Sequence, residues 1–405
     1  MSDLLAYWPY LLIPILTAGI GWSTNWLGIK MMMHPVKRMG IGPIGWQGII
    51  PRMRVRMTRI MVENCVSTIC SPQEMLEAVD DSHAIESITA QISPQIKDWA
   101  DEILSKQVSR LWNLAPSLVK KAVYREVEKL VPHLAEDILA ELKGRMSYLI
   151  DIGDIAAIES EKKPEIFPRL MSTIAAKEFT FVVRSGLYIG FPLGCIQALV
   201  WYFYPMDLVL PLFGLVVGAF TNWLALQVLV HPSDPIRFMG FKFQGLFIAR
   251  QQTVAKDFAE GFTRDFVDIN TVFDYAWNGK SSDEVRSLVR RQLIKNLNEK
   301  VLTGPLYKAL VLSGQSKKLD DNTLNILEEK IGMVLLHPGV NDKLLLPVRD
   351  LMAERMAGMA PEQFQGLLMP IFEEDQWILI VIGGILGFLA GLAQLVFMFG
   401  GSLFS

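Results

Sequence analysis

Apolar residues gather into four stretches long enough to cross a bilayer, which takes about 20 residues. They run from about Leu11 to Met33, Ser185 to Tyr204, Leu208 to Val230 and Trp377 to Phe399. Two long polar regions separate them, at about 52–180 and 247–376. Within these, apolar residues recur at helical spacing. Examples are Ile103-Leu104, Val108, Leu111-Trp112 and Val119 in the first, and Val285, Leu288, Val289, Leu293 and Ile294 in the second. Strand-like alternation is scarce. Pro116, Pro132 and Pro164 punctuate the first region, and Gly304-Pro305, Ser313-Gly314 and Pro338-Gly339 the second.

The pattern predicts an all-α membrane protein with four transmembrane helices and two mostly helical cytoplasmic lobes. Its segments are an N-terminal stretch and first span (1–33), a first cytoplasmic lobe (34–184), a second span (185–204) and an external turn (205–207). A third span (208–230), a second cytoplasmic lobe (231–376) and a fourth span with an external tail (377–405) follow. Lobes of this size can each bury a modest core. A compact and an extended, stalk-like arrangement both fit the pattern.

Charge at the span ends sets orientation. The first span is preceded by Asp3 alone and followed by Lys37, Arg38, Arg52, Arg54, Arg56 and Arg59 before any acid. Lys177 and Arg184 precede the second span, Arg237, Lys242 and Arg250 follow the third, and the tail after the fourth is uncharged. Both termini are therefore expected outside. The first span has no basic leader and a basic flank after it, so it reads as an anchor rather than a cleaved signal.

Composition narrows the function classes. Of 405 residues, 51% are hydrophobic and only 20% charged, below the quarter or so usual in soluble domains. A net charge of −3 gives no basic field for nucleic acid. Three cysteines make no disulfide framework and fit a reduced compartment. The five histidines His34, His83, His133, His231 and His337 never take His-Glu-x-x-His spacing, and neither a nucleophile elbow nor a phosphate loop occurs. No catalytic residue, metal site or cofactor is therefore nominated, and the chain reads as a non-enzyme.

The strongest pattern is a repeat at a shift of about 197 positions. Thr24-Asn25-Trp26-Leu27 recurs as Thr221-Asn222-Trp223-Leu224, His34-Pro35 as His231-Pro232, and Gln47-Gly48 as Gln244-Gly245. Pro14 and Gly21 match Pro211 and Gly218. The same shift aligns Gly190-Phe191 with Gly387-Phe388, Gly194 with Gly391 and Gln197 with Gln394. Each half is then span, His-Pro, basic segment, polar region and returning span. Both halves start on the same side, so the duplication is parallel, with a pseudo-two-fold axis along the membrane normal.

These motifs resemble a bacterial membrane-protein family known as DUF445. The residues that carry the resemblance are Gly21, Thr24 to Leu27, Lys30-Met31 and His34-Pro35, then Gln47 to Pro51. Gly218, Thr221 to Ala225 and His231-Pro232 form a second set, and Glu374 to Trp377 with Gly387, Gly391 and Gln394 a third. The second half departs in having Ile248-Ala249 for Pro51-Arg52 and Gln227 for Lys30. The resemblance implies an integral protein of the bacterial inner membrane and carries no biochemical activity with it.

Four constellations are candidates for function. Asn25 and Asn222 lie nine residues before His34 and His231, roughly 13 Å from the cytoplasmic end, and Gln197 and Gln394 about a dozen residues, or roughly 18 Å, into the returning spans. With Thr24 and Thr221 they could form a polar ring near one level, either as interhelical glue or as a site for a headgroup, ion or solute. Gly186, Gly190 and Gly194, repeated as Gly383, Gly387 and Gly391, make flat faces for helix packing. His34 and His231 suit a helix C-terminus that a proline ends, and are also candidate interfacial groups. Arg52, Arg54, Arg56 and Arg59 could bind anionic lipid or simply mark the inner face.

Two functions fit. One is a membrane scaffold or envelope-organising protein working through its helical lobes, with an unknown cytoplasmic protein partner or as a homo-oligomer. The other is a lipid or small-solute carrier built on the polar ring. Membrane lipids are expected partners in either case, and nucleic acid is not.

Overall fold

The computed structural model describes residues 8–41, 44–107, 109–238, 240–296, 321–335, 344–373 and 376–399. Helices dominate throughout, and the chain divides into two compact units, each assembled from separate stretches of sequence. The first comprises Met1–Thr68, Ser160–Gly261 and Ala353–Ser405, the second Ile69–Glu159 and Phe262–Met352. Each polar region of the sequence thus contributes to both units.

The first unit contains four long helices, Trp8–Met33, Ala176–Phe203, Val209–Val230 and Gln376–Phe399. Among the described residues three helices are long and apolar enough to cross a membrane: Ala176–Phe203, Val209–Val230 and Gln376–Phe397. The Trp8–Met33 helix has the length, at 26 residues, but is not among them. Trp22, Ser23, Thr24, Asn25 and Trp26 interrupt its apolar run.

The four helices form two tight pairs, first with second and third with fourth, and the pairs pack side by side. Small residues set the closeness of each pair. A Cβ on Gly186 would lie 2.7 Å from the Trp22 nitrogen, and one on Gly194 only 2.5 Å from Pro14 Cα. In the other pair a Cβ on Gly383 would lie 2.6 Å from the Gly218 carbonyl oxygen, and one on Gly391 2.7 Å from Pro211 Cα. Such backbone-to-backbone approach lets dispersion act between helices where lipid offers no hydrophobic drive.

Beyond the bundle, the first unit has a helical base. Helix Ile49–Thr68 packs on Ile166–Ile174 and on Pro361–Glu373. Its buried face of Met57, Met61 and Val62 follows helical spacing, and Phe167 and Phe364 are fully buried. In the second half of the sequence Val254, Phe258 and Ala259, about 197 residues on, are buried likewise.

Short hairpins, not expected from the sequence, join bundle to base. Strands β1 (Met39–Ile41) and β2 (Ile44–Trp46) pair antiparallel, as do β3 (Ile236–Phe238) and β4 (Phe241–Phe243). Each follows a cis His-Pro bond, His34-Pro35 or His231-Pro232. Each is closed at its base in the same way. The Gly48 N–H donates to the Pro35 carbonyl and the Gln47 amide to that of Val36, at 3.0 and 2.8 Å. Gly245 donates to Pro232 and Gln244 to Ser233, at 2.9 and 3.0 Å. A side chain on Gly48 would lie 2.8 Å from the His34 nitrogen, so the spacing of His-Pro and Gln-Gly is the closure of this junction.

The second unit is helical and built around Ser117–Leu149, a helix of 33 residues. Asp81–Ile92 and Ser282–Asn296 pack on it, and Ile88, Ile92, Ile96, Val131, Ala135 and Val334 form a buried cluster. Asp80 caps the first of these helices by accepting from the Ser82 and His83 amides, as N-cap carboxylates do. On its surface Glu102 accepts from Lys330 and Lys106 at 2.8 and 2.9 Å.

Candidate functional site

The amides of the helix bundle sit in two layers. In the layer nearer the His-Pro junctions, the Asn25 amide donates to the Val182 carbonyl at 2.8 Å and the Asn222 amide to that of Leu379 at 2.7 Å. Both bonds tie a helix to its pair partner and both link residues 157 positions apart. Thr221 joins the two pairs by donating to Asn25 Oδ1 at 3.4 Å, while also reaching its own Val217 carbonyl at 2.8 Å. Thr24 turns back to the Gly21 carbonyl at 3.1 Å. A cavity of about 30 Å³ opens beside Asn25 and Asn222, lined otherwise by apolar residues such as Ile29, Phe179 and Leu226.

Gln197 lies in a farther layer. Its Oε1 accepts from the Thr17 hydroxyl at 2.6 Å, with both residues buried. Thr17 is eight residues before Asn25 along the first helix, so the layers are roughly 12 Å apart. Thr17 was not read as a site residue. A hydroxyl four residues before Gly21 in an apolar run was the available signal.

Among the described residues Gln394 has no such partner: it is 5% exposed, and neither Nε2 nor Oε1 makes a hydrogen bond there. At the repeat spacing its counterpart to Thr17 is Gly214. A Cβ there would meet the Gly387 carbonyl group and lie 3.3 Å from Gly391 Cα. With glycine at this close approach, no hydroxyl stands where Thr17 meets Gln197 in the other pair.

The arginines divide. Arg52, Arg56 and Arg59 are exposed on helix Ile49–Thr68, whereas Arg54 is turned inward. Its Nε donates to the Ser160 carbonyl at 2.8 Å and Nη1 to that of Pro51 at 2.9 Å. Gln251, about 197 residues on, does the same for the Met356, Ala357 and Met359 carbonyls at 3.0, 3.3 and 2.9 Å. Arg54 at Ser160 and Gln251 at Met356 and Ala357 thus satisfy carbonyls at a helix C-terminus, where the backbone leaves acceptors open.

His34 is exposed, and its carbonyl accepts from Trp46 Nε1 at 3.3 Å. His231 is half-buried. Lys30 sits over the Trp26 ring at 4.9 Å, and Trp26 stacks with Trp22. An ion pair that patterning does not suggest joins the half-buried Arg250 to Glu178 at 2.5 Å, with Glu178 1% exposed. Among the described residues no three His, Cys, Asp or Glu side chains cluster as metal ligands do.

Comparison with known proteins agrees with a membrane protein. The chain is 23% identical over 159 residues to a UPF0754 membrane protein of Synechococcus sp. (strain JA-2-3B'a(2-13)), which covers 34% of this chain and 39% of that one. It is 26% identical over 162 residues to a UPF0754 membrane protein of Thermosynechococcus vestitus, covering 35% and 38%. The match thus spans about two fifths of the length of these curated relatives. UPF0754 proteins are of the DUF445 type, in line with the resemblance carried by the Thr-Asn-Trp-Leu and His-Pro motifs. No family model matches, and no solved structure does.

Proposed function

We propose that this chain is a four-span protein of the bacterial inner membrane that acts as a non-enzymatic scaffold. Both termini face outward, the polar regions lie in the cytoplasm, and the helical bodies there hold a protein partner or a second copy. The observation that carries this is the use the bundle makes of its polar groups. Asn25, Asn222 and Gln197 are engaged in helix-to-helix hydrogen bonds. The cavity beside the asparagines, about 30 Å³, suits a water or two and falls far below the 300 Å³ or more of ordinary ligand pockets.

The equal sequence spacing of the two asparagine bonds, the twin hairpin closures and the twin helix caps support a parallel duplication. Close packing of Trp8–Met33 along Ala176–Phe203, at Gly186 and Gly194, supports counting it as a span beside the other three. A second reading, a carrier of lipid or small solute, is favoured by the buried and unpartnered Gln394 amide.

Native mass spectrometry of the full chain, released gently with its lipid, tests the choice. The scaffold reading expects an oligomer or a retained protein partner and no fixed lipid count. A defined lipid stoichiometry that is lost in the Asn25→Leu/Asn222→Leu chain overturns it in favour of the carrier.

A further inference from the structure

We infer that the two β-hairpins are membrane-interface anchors, laid into the headgroup region of the leaflet where their helices end. The inference rests on the reading of Trp8–Met33 and Val209–Val230 as spans. Two-stranded hairpins of three residues a side are marginal in water, yet these expose large apolar side chains. Met39 is 68% exposed, Ile41 90%, Ile236 57% and Phe243 53%.

Register gives each hairpin two unlike faces. In the first, Met39 pairs with Trp46, and Gly40 pairs with Gly45. Alternation then gathers Met39, Ile41 and Trp46 on one face and leaves only glycines on the other. In the second, Ile236 pairs with Phe243, and Arg237 pairs with Lys242. The sequences Ile-Arg-Phe and Phe-Lys-Phe alternate apolar with basic. An apolar face beside basic residues and a Trp is the composition of the water–lipid boundary of an inner leaflet.

Position selects lipid over another occupant. Each hairpin is tied within a few residues of its helix end by the Gly48–Pro35 and Gly245–Pro232 bonds. A three-residue strand reaches about 10 Å, comparable to the roughly 5–7 Å polar layer on each side of the hydrocarbon. The hairpins cannot leave the interface without leaving the helices, and exposed lysine and arginine at Lys37 and Arg237 complement anionic headgroups.

Spin-label accessibility in the full chain tests this. In a Cys195→Ser background, where Cys65 and Cys70 are buried, single cysteines replace Ile41, Phe243, Arg237 and the exposed mid-helix Val216. The chains are placed in phosphatidylcholine–phosphatidylglycerol vesicles and read by collision with oxygen and with an aqueous nickel chelate. Labels at Ile41 and Phe243 are expected to favour oxygen, and the label at Arg237 nickel. Nickel access at Ile41 and Phe243 with Val216 lipid-deep overturns the anchor proposal alone. Nickel access at Val216 overturns the span reading and the anchors with it. Dipolar broadening at Ile41 with neither collider reaching it assigns the face to a second copy and also overturns the proposal.

Discussion

Replacing Gln394 by leucine should stabilise the protein, and the same change at Gln197 should destabilise it. The two glutamines occupy matching places on the second and fourth bundle helices, so size and surroundings are nearly shared and the hydrogen bond differs. Gln197 accepts from Thr17 at 2.6 Å, while both amide atoms of Gln394 are buried and unpartnered. A buried polar group without a partner costs about 1–3 kcal/mol. Leucine removes the amide while keeping most of the volume, so Gln394→Leu should gain on the order of 1 kcal/mol or more. Gln197→Leu gives up an interhelical bond worth about 0.6–2 kcal/mol. The opposite signs are the diagnostic. Unfolding of the full chain in lipid nanodiscs, followed as a mutant-minus-parent free energy, reads them. Destabilisation by Gln394→Leu comparable to that by Gln197→Leu would refute the reasoning, because the amide would then have a partner beyond the described residues. That outcome would also strengthen the carrier reading.

Gly387→Leu should separate the third and fourth helices, since a Cβ there would lie 3.2 Å from Gly218 Cα and against the Gly214 carbonyl; Gly384→Ala, at 3.5 Å from Ala219 Cβ, should leave thermal stability near that of the parent. Lys330 first, then Lys106, hold the Glu102 carboxyl down at about 2 from its ordinary value near 4.5. Its contribution is therefore present above the ordinary carboxylate range and lost as pH falls toward 2, and Glu102→Gln should flatten the acid limb of a stability–pH curve while costing within about 1 kcal/mol near neutrality. Burial pushes the Cys65 thiol up, and Cys70 is buried whereas Cys195 is exposed. A maleimide at pH 8 in detergent should therefore label Cys195 alone, read by mass spectrometry of the fragments.

The apolar runs announced the long helices, because a bilayer demands about 20 apolar residues whatever their packing. The glycine spacing announced the faces on which those helices meet. The depth of Gln197 was not legible. Counting from Ser185 assumes the helix begins where hydropathy rises, but it begins at Ala176, through a polar turn that holds the buried Glu178. Gln197 therefore meets Thr17 rather than the asparagine layer. The hairpins were missed because three-residue strands are shorter than the four to eight residues over which alternation can be recognised. The inward turn of Arg54 was hidden by its neighbours, since charge counts do not distinguish an arginine that satisfies helix carbonyls from one that faces solvent.

The duplication proposed above turns such departures into evidence. Where both halves keep a residue, as at Asn25 and Asn222 or Gln47 and Gln244, the bond it makes is structural and made twice. Where the residue changes but the bond persists, as from Arg54 to Gln251, the backbone requirement is constant and the charge is dispensable. Gln394 is the converse, a residue kept while its partner became Gly214. Packing gains nothing from an amide left without a partner among the described residues, so its presence needs either a tolerated loss of stability or a partner beyond them. Its replacement therefore separates a bundle that only holds its helices together from one that also binds.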